Sequence, residues 1–465
     1  MFSSADSAAV QQAINTAQPG DKVKVAGKCV GVQYHEYMDQ VAYVTQTLTV
    51  EGGYTTTNWL VSDPVQNPTV LDANLEDRVI FATAPLTVAN LTIQNGYAAA
   101  PSGLSEPINA FVIFENGGGI ATDHDVWVDN VDVLTNTAQY GGGVYAGDEI
   151  WLNRTDPVPT HNVWVRNSLF RNNAGTGPDV DNDVRYGGGG IYVDGSLTAI
   201  DADFIKNGTM GDGGALSIRG VATVTGGRFD SNTTDNNTIG SGAAVAITGT
   251  LSISGATVIK NVGGQTGGAV IADGDLTIIN SLFQENESAE QSAGAARTYG
   301  NGVILNSQFY SNTSYTKYPV YIDGVATIVG AEFVNNLAET DYAGALYVSG
   351  QANIEGAVSS ATPLLRTPAL FSSTVRPLSR IQTSSAIPPR PAISAPSMPT
   401  WLASKVASFR AIAPATTPAL SMRRTPPRWW IRTLSATRLP AKRARCMSTM
   451  GWTPSTRFHR QHQQR

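Results

Sequence analysis

The chain has 465 residues, 46 of them glycine and only 15% charged, and its two cysteines, Cys29 and Cys446, supply neither a disulfide framework nor metal-ligand spacing. No apolar run approaches the roughly 18 residues of a membrane-spanning helix, so no transmembrane segment is expected. The net charge of −6 averages two unlike pieces: all 37 acidic residues lie at or before Glu355, whereas 17 of the 31 Lys and Arg lie beyond it.

In chain order, Met1–Ala17 does not read as a secretory leader, having no basic stretch followed by an apolar one. Asp6-Ser7 instead predicts the cap of a short helix whose Val10, Ile14 and Ala17 share a face. Pro19-Gly20-Asp21 ends it, and Val23 and Val25 open an alternating strand. Residues 1–21 therefore read as an N-terminal cap, laid over an edge that would otherwise pair with other chains.

The next segment, 22–357, is organised by a repeat. Phe, two variable residues and Asn recur at Phe170/Asn173, Phe204/Asn207, Phe229/Asn232, Phe283/Asn286, Phe309/Asn312 and Phe333/Asn336. Val258/Asn261 fills the gap, and Val133/Asn136 extends the series upstream. In phase with it, paired small residues precede short β-branched runs at Gly142-Gly143-Val144, Gly189-Gly190-Ile191, Gly213-Gly214-Ala215 and Gly267-Gly268-Ala269, with Gly344-Ala345-Leu346 a weaker copy. Each run alternates with period two, as in Ile191-Tyr192-Val193, which predicts short strands with one buried face. A unit of about 25 residues with two or three short strands buries its apolar face only by stacking on its neighbours. The fold class expected is all-β: a single-stranded right-handed parallel β-helix of about a dozen coils with an N-terminal capping helix. Phe should stack on Phe inside the cylinder and Asn on Asn at a turn.

After Ala357 the repeat stops. Residues 358–465 hold 14 of the 24 prolines, one glycine and no Asn or acidic residue. A disordered basic tail is the simple reading. The genetic code supplies a sharper one, because codons exist for Ala444–Trp452 that, read one base earlier, spell Gly-Ala-Val-Tyr-Val-Asn-Asp-Gly-Val, the coil motif again. The tail is thus expected to be out of frame as well as disordered. Basic residues interleaved with Trp429-Trp430 would otherwise suit nucleic acid; in an out-of-frame tail they carry no evolved function, so no nucleic-acid partner is expected.

The Gly-Gly-Ala/Ile/Val and Phe-x-x-Asn pair resembles the repeat of polymorphic outer membrane proteins, whose passenger regions are right-handed β-helices of the pectin-lyase-like class. The opening, Ala13-Ile14-Asn15 through Pro19-Gly20-Asp21, is similar to that of other extracellular members. The resemblance covers about residues 5–357 and implies export to a secreted or cell-surface location and a structural or adhesive role. Cell-surface glycans or proteins would be the partners. Against that pattern, neither a leader nor a following membrane barrel is expected from the residues at the two ends. Because this class also hosts glycan-cleaving enzymes, a polysaccharide lyase or glycoside hydrolase is the alternative. The strings of polygalacturonase-like enzymes (Asn-Thr-Asp, Asp-Asp, Gly-His-Gly, Arg-Ile-Lys) do not occur, and no catalytic residue is assigned. Val126-Trp127-Val128-Asp129-Asn130 is similar to the Trp-Ile-Asp-His strand of pectate lyases, with Asn130 where His would stand; plain packing of Trp127 on one face is the simpler expectation.

Two groups of binding residues are singled out. Asp179, Asp181 and Asp183 place oxygen ligands at alternate positions of a long insertion, a spacing that suits Ca²⁺ although the Gly and bidentate Glu of an EF-hand are missing. Ca²⁺ is the only cofactor indicated, and a solvated acidic loop the competing reading. Tyr145, Tyr192, Tyr321 and Tyr347 hold one position in their coils, and alternation turns them outward, where exposed rings would stack on sugars or pair along the sheet. Asp123-His124-Asp125 reads as a surface turn, and His35 and His161 have no partner pattern.

Overall fold

The computed structural model describes residues 2, 6–35, 38–98, 115–147, 161–177, 186–235, 240–290, 293–316, 318–339 and 345–360. Asp179, Asp181 and Asp183 lie outside them, as does everything after Ser360.

The described chain is a right-handed parallel β-helix. The coil from Ile191 to Thr209 shows the plan. Ile191–Val193 belongs to one sheet, Leu197–Ile200 and Asp203–Ile205 to a second, and Gly208–Thr209 to a third. Each strand pairs in parallel with its counterpart one coil on, so the sheets reach 12, 22 and 8 strands. The exception among the described pairings is Gln33–His35, antiparallel to Met38–Val44.

Register makes columns of equivalent residues. One runs Cys29, Leu71, Ile93, Val133, Phe170, Phe204, Phe229, Val258, Phe283, Phe309, Phe333 and Ser359, twelve coils among the described residues. From Leu71 to Phe333 its side chains are fully buried inside the cylinder. Phe170, Phe204 and Phe229 stack at centroid spacings of 5.0 and 4.9 Å, and Phe283, Phe309 and Phe333 at 5.1 and 5.0 Å. Those spacings are the roughly 4.8 Å strand separation of a sheet, so ring stacking follows from the backbone register. The last strand, Val358–Ser360, carries the helix three residues past the expected boundary, with a serine in the aromatic position.

Beside the rings runs an asparagine ladder from Asn136 through Asn173, Asn207, Asn232, Asn261, Asn286 and Asn312 to Asn336. Each Oδ1 beyond the first accepts the backbone N–H and the Nδ2–H of the preceding rung at 2.9–3.1 Å. The remaining amide hydrogen goes to a carbonyl in the ring column of the previous coil, as from Asn232 to Phe204 at 2.8 Å. Internal rungs are buried, so asparagine serves where a buried amide has both donors and its acceptor met.

The residue before each rung is left-handed, with φ of 53–55° at Thr135, Asn172, Lys206, Ser231, Lys260, Glu285, Ser311 and Asn335. Most of these residue types disfavour that conformation by roughly 1–2 kcal/mol. It persists because sheet pairing on one side and the ladder on the other fix the chain. The small-residue pairs have a different cause. Gly213 is left-handed (φ +70°), and a Cβ on Gly214 would come within 2.5 Å of the Thr233 carbonyl.

The helix Ala8–Thr16 closes the first coil, burying Val10 and Ile14 as the sequence predicts. Gln11, on the same side, is buried as well. Its Oε1 accepts the Tyr43 N–H at 2.7 Å and its Nε2 donates to the Tyr43 carbonyl at 3.1 Å. The side-chain amide thus stands in for the peptide of a missing coil, which blunts the sheet edge.

Near that end, burial alone would raise the pKa of Asp72, but hydrogen bonds from Lys28, Asn95, Gln94 and the Asn74 N–H outweigh it and hold the carboxyl down to about 2. A depressed folded pKa gives stability that is present above the unfolded value of about 3.9 and lost as pH falls through about 2. Asp72→Asn should therefore lower the urea midpoint at pH 7, with the gap to the parent chain closing between about pH 4 and pH 2.

Candidate functional site

The four tyrosines do share a column on the outer face of the 12-stranded sheet. It runs Tyr43, Phe81, Ala121, Tyr145, Tyr192, Ser217, Ala246, Ile271, Arg297, Tyr321 and Tyr347. The expectation that all four rings are exposed is corrected. Tyr145 and Tyr192 are fully buried, stacked at 5.0 Å in an apolar cluster outside the cylinder with Met38, Tyr43, Phe81, Ala121 and Tyr140. Tyr140 and Tyr186, from the turns that lead into these strands, lie 6.2 and 6.0 Å from the Tyr192 ring. Alternation fixes which side of a sheet a residue faces and is silent on what covers that side.

Tyr321 and Tyr347 are half-buried and stack at 4.6 Å. The Arg297 guanidinium lies over the rings of Tyr299 (4.2 Å) and Tyr321 (4.9 Å), 3.5 Å from Asp323. Tyr299 is 47% exposed. Burial, followed by the neighbouring Asp323 charge, pushes the Tyr321 phenol up to about 12, so it stays a neutral donor at physiological pH. Tyr318 covers the other side of Tyr347 at 5.1 Å, so the strip presents ring edges, phenolic hydroxyls, a cation and the exposed Tyr299 ring on consecutive coils, groups able to pack against and hydrogen-bond a polar ring.

Sequence reasoning missed the partner of Trp127. Its indole lies on that of Trp164, centroids 4.6 Å apart and planes 2° from parallel. The signal was present, because Val126-Trp127-Val128 and Val163-Trp164-Val165 are the same three residues one coil apart and pair in register. Two residues on, Arg166 donates to Asp129 from Nε at 3.0 Å and from Nη2 at 2.5 Å. Asn130, next along the chain, is a left-handed corner residue (φ 54°) that donates to Asn90 at 2.8 Å.

The Asp123-His124-Asp125 turn is more built than expected. His124 Nδ1 lies 2.5 Å from the buried Asp123 carboxylate, and Asp125 accepts two bonds from Asn162. Among the described residues no group of three His, Cys, Asp or Glu could hold a metal ion, and no helix is long and apolar enough to cross a membrane. No family model, curated protein or solved structure matches this chain.

Proposed function

We propose that the chain is a structural or adhesive β-helix of the pectin-lyase-like class, with repeats of the polymorphic outer membrane protein type, secreted or held at a cell surface. Its rigid stack displays side chains that bind glycans or proteins of other surfaces. The Tyr299–Arg297–Tyr321–Tyr347 strip carries this reading, because rings locked by stacking bind with little loss of side-chain entropy. The in-phase glycine-pair and Phe-x-x-Asn motifs support the class. Binding of the intact chain to an immobilised glycan panel and to whole cells tests it. The Tyr321→Ala/Tyr347→Ala double variant should weaken capture by about tenfold or more, the scale of losing two aromatic anchors. Unchanged capture, no capture at all, or shortening of a polyuronide by the chain would each overturn the reading, the last in favour of a lyase or hydrolase.

A further inference from the structure

The geometry points to a second binding site, on the outer face of the 22-stranded sheet, for an uncharged pyranoside chain. It is a groove of about 480 Å³ between two outward columns of side chains. One wall is Thr87, Trp127, Trp164 and Thr198, and the other holds Asp129, Arg166 and Ile200.

Outward residues two apart on a strand are separated by about 6.6 Å, so the two columns stand side by side as one floor that a sugar ring can lie across. Thr87 and Thr198, the next members of the first column, are too short to cover an indole. Trp127 stays 36% exposed in consequence, and Ile200, in the second column, is 39% exposed. Apolar surface of this kind, held open beside a polar pair, suits a ligand with a C–H face and a hydroxyl rim.

The ion pair selects against charge. Arg166 and Asp129 neutralise one another at two points, so the groove offers an anion no net attraction. Two of the five guanidinium N–H donors are spent on Asp129, and three remain, beside carboxylate lone pairs that still accept. Donors and acceptors side by side, with no net charge, match vicinal hydroxyls and fit a uronate poorly. Both partners are anchored on paired strands, so the array is set before the ligand arrives.

Calorimetric titration of the full chain with neutral gluco- and mannohexasaccharides, and with a galacturonate hexasaccharide, tests the assignment. Neutral chains should bind, and bind more tightly than the uronate. Trp164→Ala should weaken that binding by about tenfold or more. Asp129→Asn/Arg166→Gln, which leaves the stacked rings in place, should weaken it severalfold with the thermal midpoint unchanged. Three results would overturn it: no neutral saccharide bound, a preference for the uronate, or undiminished binding in both variants. If Tyr321→Ala/Tyr347→Ala abolishes neutral-glycan binding while the Trp164 variant binds normally, the groove assignment falls and the proposed adhesive function stands.

Discussion

Asn232→Ala is expected to cost about 3–5 kcal/mol, among the largest losses any single change in this chain should produce. The substitution removes the acceptor of the Asn207 backbone N–H and of its Nδ2–H, and removes a donor from the Phe204 carbonyl and the Asn261 Oδ1. These groups are buried and water does not reach them, so the loss is the desolvation of unsatisfied polar atoms rather than the modest net value of a hydrogen bond. Asn336→Ala is the internal control. That rung is half-buried, water can replace its bonds, and the cost should drop to about 1 kcal/mol. Asn232→Asp keeps the acceptor but sets carboxylate oxygen against the Phe204 and Asn261 oxygens, so it should be as damaging as alanine at pH 7. Urea midpoints of the three variants, read with amide exchange of the adjacent coils, would show whether the ladder holds the stack or decorates it. Equal losses at positions 232 and 336 would contradict this account.

The second large effect is expected at the rings. Phe204 lies fully buried between Phe170 and Phe229, and Phe204→Ala should cost about 3–5 kcal/mol through lost transfer energy and a cavity that parallel strands on every side cannot close. Loss of two stacked faces adds to it. Phe204→Leu keeps most of the volume and should cost about 1–2 kcal/mol. Because each coil touches only its neighbours, the damage should be local: exchange protection falls in the coils around residue 204 and is retained near Phe309. Uniform loss of protection along the chain would contradict the nearest-neighbour picture.

Much of this architecture was legible because the repeat is a physical requirement written at a fixed interval. A Phe-x-x-Asn series in phase with small-residue pairs forces stacking, and the stack then dictates register and the burial of Phe and Asn; the two or three strands expected per coil are four in three sheets, because a left-handed corner splits the longest run. Val258 at the gap in the ring series was readable for the same reason. The left-handed residues before the rungs were not. Nothing in Lys206 or Glu285 announces a φ near 55°, because the conformation is imposed by the structure on both sides. The outer faces were read half correctly. Period two placed Tyr145, Tyr192, Tyr321 and Tyr347 on one column, but burial of the first two depends on Tyr140 and Tyr186 in turns that obey no period. The Trp127–Trp164 pair is written as a repeated Val-Trp-Val, a match that has meaning only once the two strands are set in register one coil apart.

In this fold equivalent residues of successive coils lie directly above one another. Thr223, Thr277, Thr327 and Asn353 are such residues on the outer face of the largest sheet, at two, four and five coils from the first. Dipolar broadening of the continuous-wave spectrum for spin labels at 223 and 277, and pulsed electron–electron distances from 223 to 327 and 353, with Cys446 replaced by Ser and the buried Cys29 left in place, measure the stack directly. The spacing should grow by about 4.8 Å per coil, to about 10, 19 and 24 Å. Distances that do not rise in proportion to the number of coils would rule out a stack of this kind.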